Sequence, residues 1–321
     1  MNLLLFKENT MKNRILSIVV LGSLLFCAPL RAQDKLTLML DWFPNVDHLP
    51  IYVARDLGYF ADQNIGLEII TPSETSDALK LAAAGNMDIA VSYQPQTIIG
   101  ADQGLEIKAI APLVVHPLTT LLFLENKGIK TPSDLSGKKI GYTVPGLMDV
   151  MLEAFASINQ IKDYTPVNVG FTILPALVSN QVDAVMGPFK TYETVGMAQH
   201  GYKALFFELE KYGIPDYEEL IFVCGTRTLK EKSRAIHGFV TAIQKGLEYT
   251  KAQPEKALAL YLSAVPQADK TIETQAFELT RPYFAATQHH DPVKWQAFAD
   301  FALDHGLITH KITAKNLIHS W

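Results

Sequence analysis

Short apolar, β-rich runs alternate with helical stretches over the first two-thirds of this chain, and the alternation occurs twice. In the first run, residues 36–40, 67–71 and 87–92 read as strands, separated by helical segments at 49–61 and 76–84. Pro72, Ser73, Thr75 and Ser76 supply entry chemistry for the second helix, Asp77 sits in its first turn, and Gly85-Asn86 closes it. A β-α-β-α-β order calls for a mostly parallel sheet, because parallel neighbours need a crossover long enough to hold a helix, and that crossover is right-handed.

The second run begins near Thr131. Pro132-Ser133-Asp134-Leu135 makes a capped turn, 140–143 a strand, Pro145-Gly146 a break and 148–158 a helix. A strand at 167–173, a short helix at 175–180 and a strand at 184–186 complete it. Both runs share a phrase, Gly-Asn-Met-Asp-Ile-Ala at 85–90 and Asn-Gln-Val-Asp-Ala-Val at 180–185, which suggests two similar α/β lobes. From about Lys230 the chain is helical: Ile236, Phe239, Val240, Ile243 and Leu247 mark one apolar face of a helix at 233–251, and segments at 255–264, 272–286 and 292–305 follow. With no flexible linker in evidence, the lobes are expected to be joined by segments crossing near 116–124 and 219–226. The expected division is 33–118 and 223–321 in one lobe and 119–222 in the other.

A chain of 321 residues, 48% hydrophobic, supports two domains of ordinary size. A net charge of −5 with no basic run argues against nucleic acid as a partner. Residues 1–32 read as a secretory signal starting from Met11, with Lys12 and Arg14 before an apolar run at 15–26 and a cleavage site at Leu30-Arg31-Ala32. Phe26 is a poor residue before a lipidated cysteine, so no lipid anchor is expected at Cys27. Removal of the signal leaves Cys224 as the one cysteine, which forbids internal disulfides and Cys-based metal sites.

In open α/β sheets, ligands bind outside the carboxyl ends of the strands. Residues 39–48, Met-Leu-Asp-Trp-Phe-Pro-Asn-Val-Asp-His, stand at such an end. Trp42 either stacks on a flat ring or sits in the core beneath the strand. Asn45 either presents donor and acceptor to a ligand edge or shapes the turn after Pro44. His48 either hydrogen-bonds the ligand or caps the next helix, and Asp41 is expected to orient its neighbours. Ser92, Tyr93 and Gln94 lie at the end of the third strand, where Tyr93 is a second ring wall or a rim residue. Tyr142 is the counterpart in the other lobe. His289-His290 has no acidic partner at ligand spacing apart from the adjacent Asp291 and reads as a surface loop. Neither a metal site nor a catalytic motif is recognisable, and no cofactor is expected.

These residues resemble the NMT1/THI5-like family: Leu40-Asp41-Trp42-Phe43-Pro44-Asn45 with His48, Gly58-Tyr59-Phe60, Ala84-Gly85 with Asp88, Gly137-Lys138-Lys139-Ile140-Gly141-Tyr142, and Asp183-Ala184-Val185-Met186-Gly187. The motifs fall in order over roughly 35–266, and the chain looks closest to members that bind the thiamine precursor formylaminopyrimidine. That resemblance implies a type II periplasmic-binding fold, two α/β lobes with a ligand cleft between them. It also implies a monomeric, periplasmic receptor that hands a small planar heterocycle to an ABC permease with its ATPase. Glu193 stands where the formylaminopyrimidine binders carry a glutamate; a carboxylate there would accept from an exocyclic amine and pair with a protonated ring nitrogen. Its other reading is a solvated helix glutamate. Phe189 and Tyr192 would add ring contact.

The family also holds a thiamine-pyrimidine synthase that consumes its own histidine and pyridoxal phosphate. That branch resembles this chain less: Ser92-Tyr93-Gln94-Pro95-Gln96 stands where it carries lysine and histidine, and its cysteine-rich stretch is missing. Riboflavin, a sulfonate or nitrate as ligand, and a stand-alone sensor role, also stay open.

Overall fold

The computed structural model describes residues 33–321; the expected signal segment and Cys27 lie outside the described residues. Among the described residues, ten strands form two five-stranded sheets. The first contains β1 (Asp34–Met39), β2 (Ile65–Ile70), β3 (Ile89–Ser92), β4 (Ile107–Val114) and β10 (Leu220–Gly225), in the order β2-β1-β3-β10-β4. The second contains β5 (Thr119–Leu124), β6 (Lys139–Tyr142), β7 (Thr165–Asn168), β8 (Ala184–Phe189) and β9 (Ala204–Glu208), in the order β7-β6-β8-β5-β9. In each sheet the first three strands of that order are parallel, and the fourth, β10 in the first sheet and β5 in the second, is antiparallel. This is the type II periplasmic-binding fold: two α/β lobes joined by crossing strands, with a cleft between them.

The two sheets have the same plan, and the repeated phrase in the sequence marks equivalent places in it. Asp88 precedes β3 and its Oδ2 accepts from Thr37 N of β1 at 3.0 Å. Asp183 precedes β8 and its Oδ2 accepts from Lys139 N of β6 at 3.1 Å. Each carboxylate thus accepts from the backbone of the neighbouring parallel strand, within β1 at Thr37 and at the start of β6 at Lys139, and each is matched by a lysine, Lys232 or Lys127.

Burial follows position. β3, β5 and β10 are buried at every residue, whereas edge strand β7 is largely exposed. The other edge of the first sheet, β4, is covered by the end of the chain: Ala109 N donates to Leu317 O and His319 N to Ala109 O, each at 2.8 Å. Unpaired strand edges template association, so this cover removes a liability.

Most elements fall where the periodicity places them, including helix Ser233–Ala252 with Ile236, Phe239, Val240, Ile243 and Leu247 all buried. Four differ. The expected helix at 49–61 is two, Leu49–Asp56 and Tyr59–Asp62, separated by Gly58 at φ +78°. The expected strand at 167–173 stops at Asn168, whose Oδ1 accepts from Gly170 N at 3.0 Å and turns the chain into helix Ile173–Val178. The helix expected at 272–286 runs Lys270–Thr280, started by the Asp269 cap and ended by Pro282. Residues 220–222, expected in the second lobe, already pair in the first sheet, so the second crossing lies before Leu220.

The crossing segments are tied side by side. Glu219 Oε2 accepts from Leu118 N at 2.5 Å and Thr119 N at 2.7 Å, and its Oε1 from Thr119 Oγ1 at 2.8 Å. Nearer the surface, Asp216 pairs with His116 and Lys294.

Candidate functional site

One cleft opens where the carboxyl ends of β1, β3, β6 and β8 face one another. The first lobe contributes Asp41, Trp42, Asn45, Asp47, His48, Tyr93 and Leu220; the second contributes Thr143, Ile173, Gly187, Phe189, Tyr192 and Glu193. Among the described residues, no lysine or arginine lines it.

The floor on the first-lobe side is a fixed hydrogen-bond network. Asn45 caps the short 3-10 turn Val46–His48, its Oδ1 accepting from Asp47 N at 2.8 Å. Asn45 N donates to His48 Nδ1 at 3.3 Å, which makes that nitrogen the acceptor and leaves the proton on Nε2. His48 Nε2 then donates to Asp41 Oδ1 at 2.9 Å, and the Tyr93 hydroxyl donates to Asp41 Oδ2 at 2.7 Å. Both ring nitrogens of His48 and both oxygens of Asp41 are therefore engaged within the protein. His48 sets the shape of the turn rather than offering a free donor. Burial and the neighbouring Asp41 carboxylate hold the Tyr93 phenol well above its ordinary pKa, so it stays a donor.

Trp42 is half-buried and leaves the first lobe to meet the second. Its ring packs edge-on against Phe171 at 4.6 Å, and the exposed Phe43 meets Phe171 at the same distance. The same Trp42 rests against the second lobe's cluster of Val169, Ile173 and Leu177. It is a wall of the cleft and not a core residue beneath β1.

On the second-lobe side, β8 ends in Gly187-Pro188-Phe189. Gly187 has φ +122°, and a Cβ there would lie 2.0 Å from Thr143 Oγ1. Only glycine allows β8 and the end of β6 to approach so closely beside the cleft. Glu193 begins helix Glu193–Gln199, and its Oε2 accepts from Phe189 N at 2.6 Å. Burial pushes its carboxyl up to about 7 in spite of that bond.

Two further contacts bring the lobes together across the cleft. Thr75 Oγ1 donates to Thr143 O at 2.8 Å, and the Tyr192 hydroxyl donates to Glu273 Oε1 at 2.9 Å. Val195 enters the first lobe's cluster of Val46, Leu49, Tyr52, Tyr261 and Phe277.

Of the residues singled out in the sequence, Trp42, Asn45, His48, Tyr93, Phe189, Tyr192, Glu193 and Asp41 share this cleft. Ser92, Gln94 and Tyr142 do not line it. The Ser92 hydroxyl donates to Gln96 Oε1 at 2.8 Å, and Gln94 Oε1 accepts from Glu218 N at 2.8 Å, because helix Gln94–Asp102 begins immediately after β3 and takes both side chains inward. Tyr142 packs on the main core while the next residue, Thr143, lines the cleft; neighbouring strand residues point to opposite faces. The cleft residues not expected from the sequence are Asp47, Thr143, Ile173, Gly187 and Leu220. Asp47 lies within the 39–48 motif, and its place between two expected cleft residues is the available signal. His290 is also not a surface residue: it is buried, and its Nδ1 pairs with Glu218 Oε2, which also accepts from Trp295 Nε1 at 2.9 Å.

Comparison with known proteins agrees with the fold and narrows the family. A Haemophilus influenzae protein named for thiamine biosynthesis is 35% identical over 91% of this chain and 94% of its own. The formylaminopyrimidine-binding protein of Halalkalibacterium halodurans is 31% identical over 74% of this chain and 73% of its own. A 4-amino-5-hydroxymethyl-2-methylpyrimidine phosphate synthase of Legionella pneumophila is 27% identical over 79% and 81%. Among solved structures, the alkanesulfonate-binding protein SsuA of Xanthomonas axonopodis superposes with a TM-score of 0.71 at 13% identity, over 90% of this chain and 99% of that one. The model of the family described as NMT1/THI5 like matches residues 45–257, and the chain belongs to that family.

Proposed function

We propose that this protein is the exported receptor of an ABC importer and that it binds a thiamine pyrimidine precursor, a small aminopyrimidine of the formylaminopyrimidine type. The observation that carries this reading is the composition of the cleft: Glu193 and two further carboxylates beside Trp42, with no lysine or arginine among the described residues that line it. Such a lining favours a flat ring bearing amines and disfavours sulfonate or nitrate, which need cationic partners. The names of the Haemophilus and Halalkalibacterium relatives point the same way.

In this reading Trp42 takes the ring face, Glu193 accepts from the amine edge, and Phe189 and Tyr192 close the far side. Asn45 and Tyr93 hold the floor. Ligand entry requires the lobes to part, and the Thr75–Thr143, Trp42–Phe171 and Tyr192–Glu273 contacts favour reclosure. The permease, with its ATPase, would recognise the closed monomer, a shift in population driven by the ligand's contacts with both lobes. The crossing segments at 115–118 and 213–219 act as the hinge.

A thermal-shift panel of aminopyrimidines, thiamine, riboflavin, taurine and nitrate tests the assignment. Stabilisation by aminopyrimidines alone supports it; stabilisation by the anions alone overturns it. The second reading, a pyrimidine phosphate synthase, is favoured by the Legionella relative. Product formation on incubation with pyridoxal phosphate would establish that activity.

A further inference from the structure

Asp47 is the cleft residue whose bonding is incomplete. Its side chain is fully buried on the 3-10 turn Val46–His48. Oδ1 accepts from Thr280 Oγ1 at 3.0 Å, while Oδ2 has no partner among the described residues. The adjacent His48 has its two nitrogens committed to Asn45 N and Asp41. A buried carboxylate oxygen with neither donor nor cation is costly, and proteins leave such groups where a ligand, a proton or a water completes them.

We infer that Asp47 is a second specificity-determining carboxylate, accepting from an N–H group on the substituent of the bound ring, at a point separate from the edge read by Glu193. Three observations converge on this. Asp47 and Glu193 come from different lobes and line the same cleft. The free oxygen belongs to a residue held rigidly by the turn and by Thr280. Burial, followed in smaller part by repulsion from Glu193 and Asp41, pushes the Asp47 carboxyl up to about 7, as expected of a desolvated acid that the surrounding groups do not compensate. The ligand class narrows to an aminopyrimidine carrying a second N–H donor on a ring substituent. This inference rests on the aminopyrimidine reading of the cleft.

Calorimetric titration with two probes separates the claims: 4-amino-5-aminomethyl-2-methylpyrimidine, which carries the second donor, and 4-amino-2,5-dimethylpyrimidine, which does not. The wild-type protein is expected to bind the aminomethyl compound at least about tenfold more tightly, the range of a charge-assisted hydrogen bond. Asp47→Asn should remove most of that preference, while Glu193→Gln should weaken both probes alike. Equal wild-type affinity for the two probes overturns the role of Asp47 without any variant, leaves the aminopyrimidine reading standing, and points to a water on Oδ2. An Asp47→Asn protein that keeps the full preference overturns it as well. If neither probe binds the wild type, the aminopyrimidine reading and this inference fail together.

Discussion

The Tyr192 hydroxyl donates to Glu273 Oε1 at 2.9 Å, linking the start of helix Glu193–Gln199 in the second lobe to helix Lys270–Thr280 in the first. The bond lies immediately beside the cleft, one residue from Glu193. Burial first, then the Glu273 carboxylate, raises the Tyr192 phenol and keeps it a donor. Tyr192→Phe removes the donor and leaves a buried carboxylate oxygen open. Loss of such a bond costs about 1–3 kcal/mol. Urea denaturation should register that loss, and small-angle scattering should show a larger radius for the ligand-free variant than for the wild type. Unchanged values for both would remove the bond from the closure account.

Gly187→Ala combines a backbone angle that side chains rarely adopt with a Cβ placed 2.0 Å from Thr143 Oγ1. Left-handed backbone and local overpacking together cost about 2–4 kcal/mol. Thermal denaturation should show that loss, and Thr143→Ala in the same chain should restore part of it by relieving the contact while leaving the backbone term. Additive losses in the double variant would contradict the contact as the cause.

Glu219 ties the two crossing segments through Leu118 N, Thr119 N and Thr119 Oγ1. Glu219→Gln must either turn its amide toward the backbone donors or reverse the Thr119 bond, with the hydroxyl accepting from the amide, and in both cases it gives up the charge that the two backbone N–H groups face. A loss of about 1–3 kcal/mol is expected in urea at pH 7.5. A neutral variant would mean the hinge is held by the strands alone.

Four acids, Asp47, Glu193, Glu219 and Glu273, are each pushed up to about 7 by burial, against ordinary values of 3.8 to 4.5. The folded state therefore holds more protons than the unfolded chain between those limits. Their stabilisation is fully present below the unfolded value and is lost as pH rises through about 7. Unfolding free energy of the ligand-free protein should fall between pH 5 and pH 7, with proton release on unfolding at pH 6. A rise over that interval would show that these carboxylates are ionised throughout. An amine-bearing ligand should flatten the slope, since it stabilises the ionised forms of Glu193 and Asp47.

The fold was legible because helix and strand periods recur in order, and the Asp88 and Asp183 phrases mark the same station in two sheets. The cleft is legible as strand ends, which bring out Trp42 and Tyr93, whereas Phe189, Tyr192 and Glu193 come from the family resemblance. Register was not: choosing Tyr142 over Thr143 inverts a face, and one residue of error suffices for that. Ser92 and Gln94 were misplaced because the helix starting at Gln94 turns polar groups inward to bonds with Gln96 and Glu218, partners distant or unreadable in sequence. His290 was misplaced for the same reason, since its acid, Glu218, is 72 residues away.

The most direct measurement is the affinity of the purified, ligand-stripped protein for formylaminopyrimidine, set beside taurine and nitrate, by isothermal titration calorimetry. Micromolar binding or tighter is expected, about −8 kcal/mol, with no heat from either anion and at least a tenfold loss on Glu193→Gln. Binding of taurine or nitrate with no response to the pyrimidine would contradict the aminopyrimidine reading.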